Sequence, residues 1–376
     1  MTLALASIAP AASSTSTGPV SWSTVVSQPG VTGPITASLD FVACPTASEC
    51  VAVGPSRSFV SDDSALTWKA STAPPSGLTS VSALTCASST VCLLAGTSAI
   101  SGHSALLISH DAGATWRAGH SPSTLRVSAV ACASRAACLL GTQSRVVQGL
   151  TSATSTKFQL FRSTNSGSSW TTVSLPSAIL ATGEVSALAC PTSRVCYGVL
   201  ALTSGRWKNV VRSAVILSTN AGASWTTINI GTNSGRPFQS VACSSAASCL
   251  YVGQVQGYSD SLKSFTREFF AMSTTRSGGL CRPVASALFA NSRMGALTTS
   301  SPALSYNGQS WALLGQFPSG SLSATNVATS PDTGAHWAIV APLPSTLAAG
   351  DISAAGTRWV VVGMNQSGGP AIDTWG

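Results

Sequence analysis

Ten of the eleven cysteines in this 376-residue chain fall in pairs six residues apart: Cys44 with Cys50, Cys86 with Cys92, Cys132 with Cys138, Cys190 with Cys196, and Cys243 with Cys249. Thiols at fixed spacing could carry redox chemistry, but such centres favour a closer Cys-x-x-Cys at one exposed place. Here the same pair recurs five times, each bracketing five turn-type residues between two apolar runs, as in FVACPTASECVAVG from Phe41 and ALTCASSTVCLLAG from Ala83. That spacing sets the two residues opposite each other across an antiparallel hairpin, near the Cα separation of about 5.5 Å that a disulfide prefers. The expectation is five structural disulfides, each contributing about 2 kcal/mol by closing a short loop. Cys281 has no partner at this spacing and is expected as a buried thiol. The histidines (His103, His110, His120 and His336) are too scattered to complete zinc sites, so neither a metal nor any other cofactor is expected.

A second pattern follows each cysteine pattern and offers carboxylates. It reads Ser-x-Asp/Asn-x-Gly-x-Ser/Thr-Trp: SDDSALTW from Ser61, SHDAGATW from Ser109, STNSGSSW from Ser163, STNAGASW from Ser218 and SPDTGAHW from Ser330. Acid or base catalysis from this position fails on residue type, because Asp63, Asp111 and Asp332 alternate with Asn165 and Asn220, and an amide cannot transfer the proton. A side-chain oxygen that accepts backbone N–H groups in a turn, a Gly at positive φ in four copies where the first has Ala65, and a Trp buried between sheets account for the pattern. The Trp slots are Trp68, Trp116, Trp170, Trp225, Leu280 in a decayed copy, and Trp337.

These two half-patterns alternate with a period of about 50 residues, and each unit holds four short strands with turn chemistry between them. Two further first halves lack cysteines, with Ser305 and Trp311 ahead of Gly315, and Ser353 and Trp359 ahead of Gly363. Both look like the same Ser-x5-Trp replacement. The terminal segments GPAIDTWG and VSWSTVVSQP read as two parts of one more unit. Four strands are too few to bury a core alone, so units must stack radially. The expected fold is all-β, a seven-bladed β-propeller over residues 20–376, closed by its own terminal strands. Length then implies no second domain. Residues 1–19, apolar from Leu3 to Ala12 with Ala-x-Ala spacing, are expected as a signal-peptide remnant or a disordered tail.

The second pattern resembles the Asp-box, or BNR repeat, of sialidases, sortilin-type receptors and photosystem II assembly-factor propellers, and the resemblance covers residues 20–376. It implies a structural role for the motif. Sialidases combine an Arg triad, a Tyr nucleophile activated by Glu, and an Asp acid/base, preceded by an Arg-Ile-Pro signature. That signature is absent here, where Arg57 is the one arginine before Ser61. A hydrolase of sialidase type, with Glu184 or Glu268 beside Tyr197, Tyr251, Tyr258 or Tyr306, is the alternative reading. The assembly-factor group implies a basic patch that holds a protein client.

Charged residues make up only 8% of the chain against 44% hydrophobic, which excludes a disordered or charge-rich helical protein. The charge is uneven. Between Arg145 and Arg293 lie 13 of the 19 basic residues and three of the 11 acidic ones, a net +10 against −2 elsewhere. In each unit the connection between the second and third strands falls on the face opposite both repeated motifs. Those at 142–157, 202–212, 254–267 and 316–325 are longer and more polar. Loops that vary on a repeated frame are where recognition is expected. Arg145, Lys157, Arg206, Trp207, Lys208, Arg212, Tyr258, Lys263 and Arg267 are therefore the candidate binding residues, forming a basic rim for an anionic protein segment or polysaccharide. Nucleic acid is disfavoured, because the arginines are dispersed singly and no nucleic-acid motif accompanies them. No apolar window reaches the roughly 20 residues of a spanning helix, and the paired cysteines imply an oxidising, secreted or cell-surface location. A monomeric, non-catalytic binding protein is the leading expectation.

Overall fold

The computed structural model describes residues 22–27, 38–148, 153–177, 179, 182–204, 210–228, 237–259, 264–274, 281–283, 292–293, 302–319, 322–340, 343, 348–365 and 367–376. The expected leader at 1–19 and the decayed copy at 275–280 lie outside them. Among the described residues every regular element is a strand. In chain order β1 (Ser23–Ser27) is followed by a sheet of β2 (Phe41–Ala43), β3 (Cys50–Val53), β4 (Ser58–Ser61) and β5 (Lys69–Ala70). The next sheet holds β6 (Leu78–Cys86), β7 (Cys92–Ser98), β8 (Ser104–Ser109) and β9 (Arg117–Gly119). Then come β10 (Val127–Cys132) and β11 (Cys138–Thr142), a separate two-stranded ribbon of β12 (Arg145–Gln148) and β13 (Ala153–Thr156), and the strands β14 (Leu160–Ser163) and β15 (Thr171–Val173) that complete the sheet of β10 and β11. The sheet after it holds β16 (Thr182–Ala189), β17 (Cys196–Ser204), β18 (Val210–Ser218) and β19 (Thr226–Ile228).

A five-stranded sheet follows: β20 (Phe238–Ser245), β21 (Ser248–Ser259), β22 (Ser264–Thr274) and β23 (Cys281–Pro283) in order, with β24 (Ser292–Arg293) also paired to β22. The next sheet has β25 (Ala303–Tyr306), β26 (Trp311–Ser319), β27 (Leu322–Ser330) and β28 (Ala338–Ile339). The last has β29 (Ala348–Ala355), β30 (Arg358–Met364) and β31 (Pro370–Trp375), completed by β1 from the other end of the chain. Six of these sheets have the four-stranded antiparallel form of a propeller blade, and their first strands pack side by side. The architecture is an all-β propeller.

Burial follows position within the sheet. Second strands such as CVAV in β3 and CLLGT in β11 are buried throughout and read as near-continuous apolar runs, because both of their faces are covered. Outer strands such as β5 are exposed. The core lies between sheets: Leu93 and Leu106 of one pack with Val127, Cys138 and Leu140 of the next. The glycine ending the first-half pattern is enforced by close approach in three copies, since a Cβ would stand 2.0 Å from Ser38 O on Gly54, 2.4 Å from Ser80 O on Gly96 and 2.4 Å from Val185 Cβ on Gly141.

All five expected disulfides form, with Cα–Cα separations of 3.9 to 4.1 Å. These are shorter than the 5.5 Å first assumed because directly opposed residues can occupy the narrow, non-hydrogen-bonded site of the ladder. The two cysteine-free copies depart from the expected register. Trp311 faces Tyr306, not Ser305, and Trp359 faces Ala354, not Ser353. Freed of a disulfide, each hairpin is a residue tighter. Ser353 instead accepts a hydrogen bond from Cys44 N of another sheet at 3.2 Å.

Candidate functional site

The Ser-x-Asp/Asn turns satisfy the Asp or Asn side chain at their centre. Ser61 Oγ donates to Asp63 Oδ1 at 2.8 Å, the same oxygen accepts the N–H of Leu66 and of Thr67, and Thr67 Oγ1 donates to Oδ2. Asp111 repeats the arrangement with Ser109 and Thr115. In the amide copies the oxygen of Asn165 accepts from Ser163 and from Ser169 N, while its Nδ2 donates to Ser169 Oγ at 2.8 Å; Asn220 does the same with Ser218 and Ser224. Swapping acceptor for donor at one oxygen reverses a hydroxyl, which rotates freely, so both residue types serve. Asp332 bonds Ser330 and His336. The Thr67 hydroxyl and backbone N–H lower the Asp63 pKa to about 2. At Asp111 and Asp332 burial pushes upward, but the same kind of donors outweigh it and the net shift is downward. Trp116 and Trp225 are buried, and Trp68, Trp170 and Trp337 pack against inter-sheet clusters.

At the other end of the sheets the hairpins lengthen. β17 and β18 pair from Cys196↔Ser218 to Ser204↔Val210, β21 and β22 from Leu250↔Ser273 to Ser259↔Ser264, and β26 and β27 from Trp311↔Ser330 to Ser319↔Leu322. β3 and β4 stop at Val53↔Ser58. Arg212 is exposed opposite Leu202, Arg267 stands opposite Gln256 and Tyr258 opposite Phe265. Arg145 opens the β12–β13 ribbon opposite Thr156, and exposed Lys157 follows it. Topology carries all five positions to this end. Arg206, Trp207, Lys208 and Lys263 lie outside the described residues. The ribbon is anchored at its base, where Ser144 N donates to Gly183 O at 2.7 Å and Gly183 N to Ser144 Oγ at 3.0 Å.

Between the sheets the first strands surround a cavity of about 820 Å³. β-Bulges fall at Ser82, Ser128, Ser186, Gln239 and Gly350, where register shifts against the second strand, and a bulge re-aims its side chain. All five line the cavity, as do Asp40 and Asp351. A side chamber of about 220 Å³ is lined wholly by polar residues, among them Ser82, Ser128 and Ser186, the amides of Gln143 and Gln239, and the charged pair Arg126 and Glu184.

Electrostatics in the cavity oppose those in the turns. Burial raises Asp351 to about 7, against backbone N–H groups of Val42 and Ile352 that lower it and donate at 3.1 and 2.9 Å. Burial also raises Asp40, which accepts from Ser38 Oγ. Glu184 is raised by burial, with Arg126 and the Ser186 hydroxyl pulling the other way. Among the described residues no cluster of three or more metal-ligating side chains forms. Three of the four tyrosines invoked for hydrolysis are placed elsewhere: Tyr197 and Tyr251 are core residues, with Tyr197 OH donating to Ala246 O, and Tyr306 OH donates to Gly308 O, while the Tyr258 side chain lies outside what is described.

No family model and no curated protein matches the chain. Solved structures do. A GH74 xyloglucanase from Xanthomonas campestris aligns at TM-score 0.60 and 16% identity over 92% of this chain, which spans 54% of that enzyme's length. YCF48 bound to D1 peptide aligns at TM-score 0.55 and 12% identity over 99% of both chains, and YCF48 from Cyanidioschyzon merolae at 0.53 and 13% over 94% of this chain and 98% of that one. At these identities the shared property is the fold.

Sequence reasoning weighed Glu184 but passed over Arg126, Asp40, Asp351 and the bulge residues. A signal existed. Asp40, Ser82, Ser128, Ser186 and Gln239 each stand four places before the first cysteine of a pair, a polar residue at one fixed position in an otherwise apolar strand.

Proposed function

We propose that this chain is a non-catalytic binding protein that works outside the cytoplasm and holds an acidic segment of another protein on the face of its long hairpins. In this reading the five-stranded sheet counts as a blade, β1 closes a seven-bladed ring with β31, residues 20–376 form one domain, and the Ser-x-Asp/Asn turns are Asp-box repeats. The observation that carries it is the lengthening of the hairpins at one end of the sheets, two of which, β17–β18 and β21–β22, fall within the stretch of net +10. A basic, variable surface on a rigid frame suits an anionic partner. Five disulfides fit an oxidising compartment, and no helix among the described residues is long and apolar enough to cross a membrane. A protein partner is favoured over a polysaccharide by the peptide carried by YCF48, whose length this chain matches.

Fluorescence anisotropy with a labelled acidic peptide tests this, with heparin as competitor. Binding is expected to weaken about tenfold or more on joint replacement of Arg206, Trp207 and Lys208 by alanine, and to fall steeply with salt. Binding indifferent to both overturns the basic-rim reading, and preference for heparin moves the partner to polysaccharide. A hydrolase reading keeps one observation, an Asp351 carboxyl that titrates near neutrality inside a cavity. Turnover of xyloglucan or fluorogenic sialosides that disappears in Asp351→Asn would replace binding with catalysis.

A further inference from the structure

We infer that the side chamber between Arg126 and Glu184 is a binding site for a free amino acid, held by its two opposite charges. Both side chains face the same chamber of about 220 Å³, several times the roughly 30 Å³ that one water occupies in the liquid. They feel each other, since Arg126 lowers the Glu184 pKa against the stronger effect of burial. They do not close on each other: among the described residues Arg126 and Glu184 form no ion pair within 4.0 Å, unlike Lys69 with Asp62. Opposite charges facing one cavity without closing on each other leave a gap that a solute can bridge. A free amino acid fits it in series, its carboxylate on the fork of exposed Arg126 and its ammonium on half-buried Glu184, so that each gains charge-assisted hydrogen bonds.

The rest of the lining suits this occupant. Ser82 Oγ is buried without a hydrogen-bond partner, a cost that a ligand group would remove. Gln143 adds an amide that both donates and accepts, Ser128 Oγ, whose proton goes to Val185 O at 2.8 Å, adds an acceptor, and no apolar side chain enters the lining. An anion alone would meet Glu184, a cation alone would meet Arg126, and a neutral polyol would leave both charges unanswered. The chamber lies at the mouth where Gln143 bridges Glu184, directly under the anchored base of the ribbon. It is therefore open from the same end as the long hairpins but is built from different residues, and the inference does not rest on the acidic-partner reading.

Isothermal titration of the whole protein with the common amino acids at millimolar concentration is the test. Each is paired with its N-acetyl form, which lacks the ammonium, and its amide, which lacks the carboxylate. At least one free amino acid is expected to bind saturably, with about tenfold or greater loss for either blocked form and for Arg126→Gln or Glu184→Gln. Both side chains reach solvent, and Ser82→Ala, expected to weaken binding severalfold, serves should Arg126→Gln fail to fold. No saturable heat from any free amino acid overturns the site, as does equal binding of a blocked form, or binding unchanged in Glu184→Gln. The Arg206, Trp207, Lys208 variant is expected to keep amino-acid binding while losing acidic peptide, so the two readings fail separately.

Discussion

Asp63 and Asp351 are the same residue under opposite control. In the turn, Asp63 collects two hydroxyl donors and two backbone N–H groups close to solvent, and its pKa drops to about 2. In the cavity, Asp351 has two backbone donors, but burial outweighs them and the pKa climbs to about 7. The two regions divide the labour of the fold. Turns at the cysteine end satisfy their Asp or Asn side chains within eight residues, while the indole N–H groups of Trp68, Trp116 and Trp170 are buried without a hydrogen-bond partner. The cavity and the hairpin end gather polar groups from several sheets and leave some of them, such as Ser82 Oγ, without a protein partner. The turn carboxylates and amides are used up locally, whereas Ser82 Oγ in the polar chamber is left open to a ligand.

The contrast can be broken at several levels. The largest effect is expected from Gly222→Ala. Gly222 has φ +81°, and a Cβ there would stand 2.2 Å from Leu139 Cδ2 in the preceding sheet, so strain and overpacking add to about 3 kcal/mol in urea unfolding. A loss below about 1 kcal/mol would mean that Leu139 moves aside. Removing one disulfide as Cys132→Ser with Cys138→Ser is expected to cost about 2 kcal/mol, read as a lower unfolding midpoint, while amino-acid binding in the chamber is unchanged. A variant that lost that binding would tie the two regions together. At the turn itself, Asn220→Ala is expected to cost about 1 kcal/mol and Asn220→Asp under about 0.5 kcal/mol, since aspartate supports the same turn at Asp111.

The subtlest separation is by pH. Asp63, lowered when folded, contributes stability that is present above its unfolded value near 4 and is lost as pH falls through about 2. Asp351, raised when folded, contributes stability that is present below its unfolded value near 4 and is lost as pH rises through about 7. Carboxyl carbon shifts followed by NMR should show midpoints near 2 and near 7, and Asp351→Asn should remove the loss of stability between pH 4 and 8. Coincident midpoints would erase the distinction between the two regions.

Much of the frame was legible because it is local. A Cys pair six residues apart, or a serine hydroxyl two residues from the Asp or Asn oxygen it serves, is decided inside one hairpin, and all five disulfides and all five turns form as the spacing implied. Reading failed where the local constraint was absent. Without cysteines, Ser305 and Ser353 slipped from the expected register, and Ser353 found its partner in Cys44 N, 309 positions away. The candidate arginines were placed by loop length and charge alone, so only the end of the sheet they occupy could be read, not their separations.

From sequence alone came the strands, the repeat, the disulfide pairs and the chemistry of the turns, because hydrogen bonds and loop closure over a few residues depend little on the rest of the chain. Only the tertiary structure decided that Arg126 and Glu184 share one chamber, that bulges aim Ser82, Ser128 and Ser186 into the cavity, and that Asp351 titrates near 7. Each of those facts depends on how neighbouring sheets are set against one another and how much water they exclude. Both are properties of the assembled core that no single repeat contains.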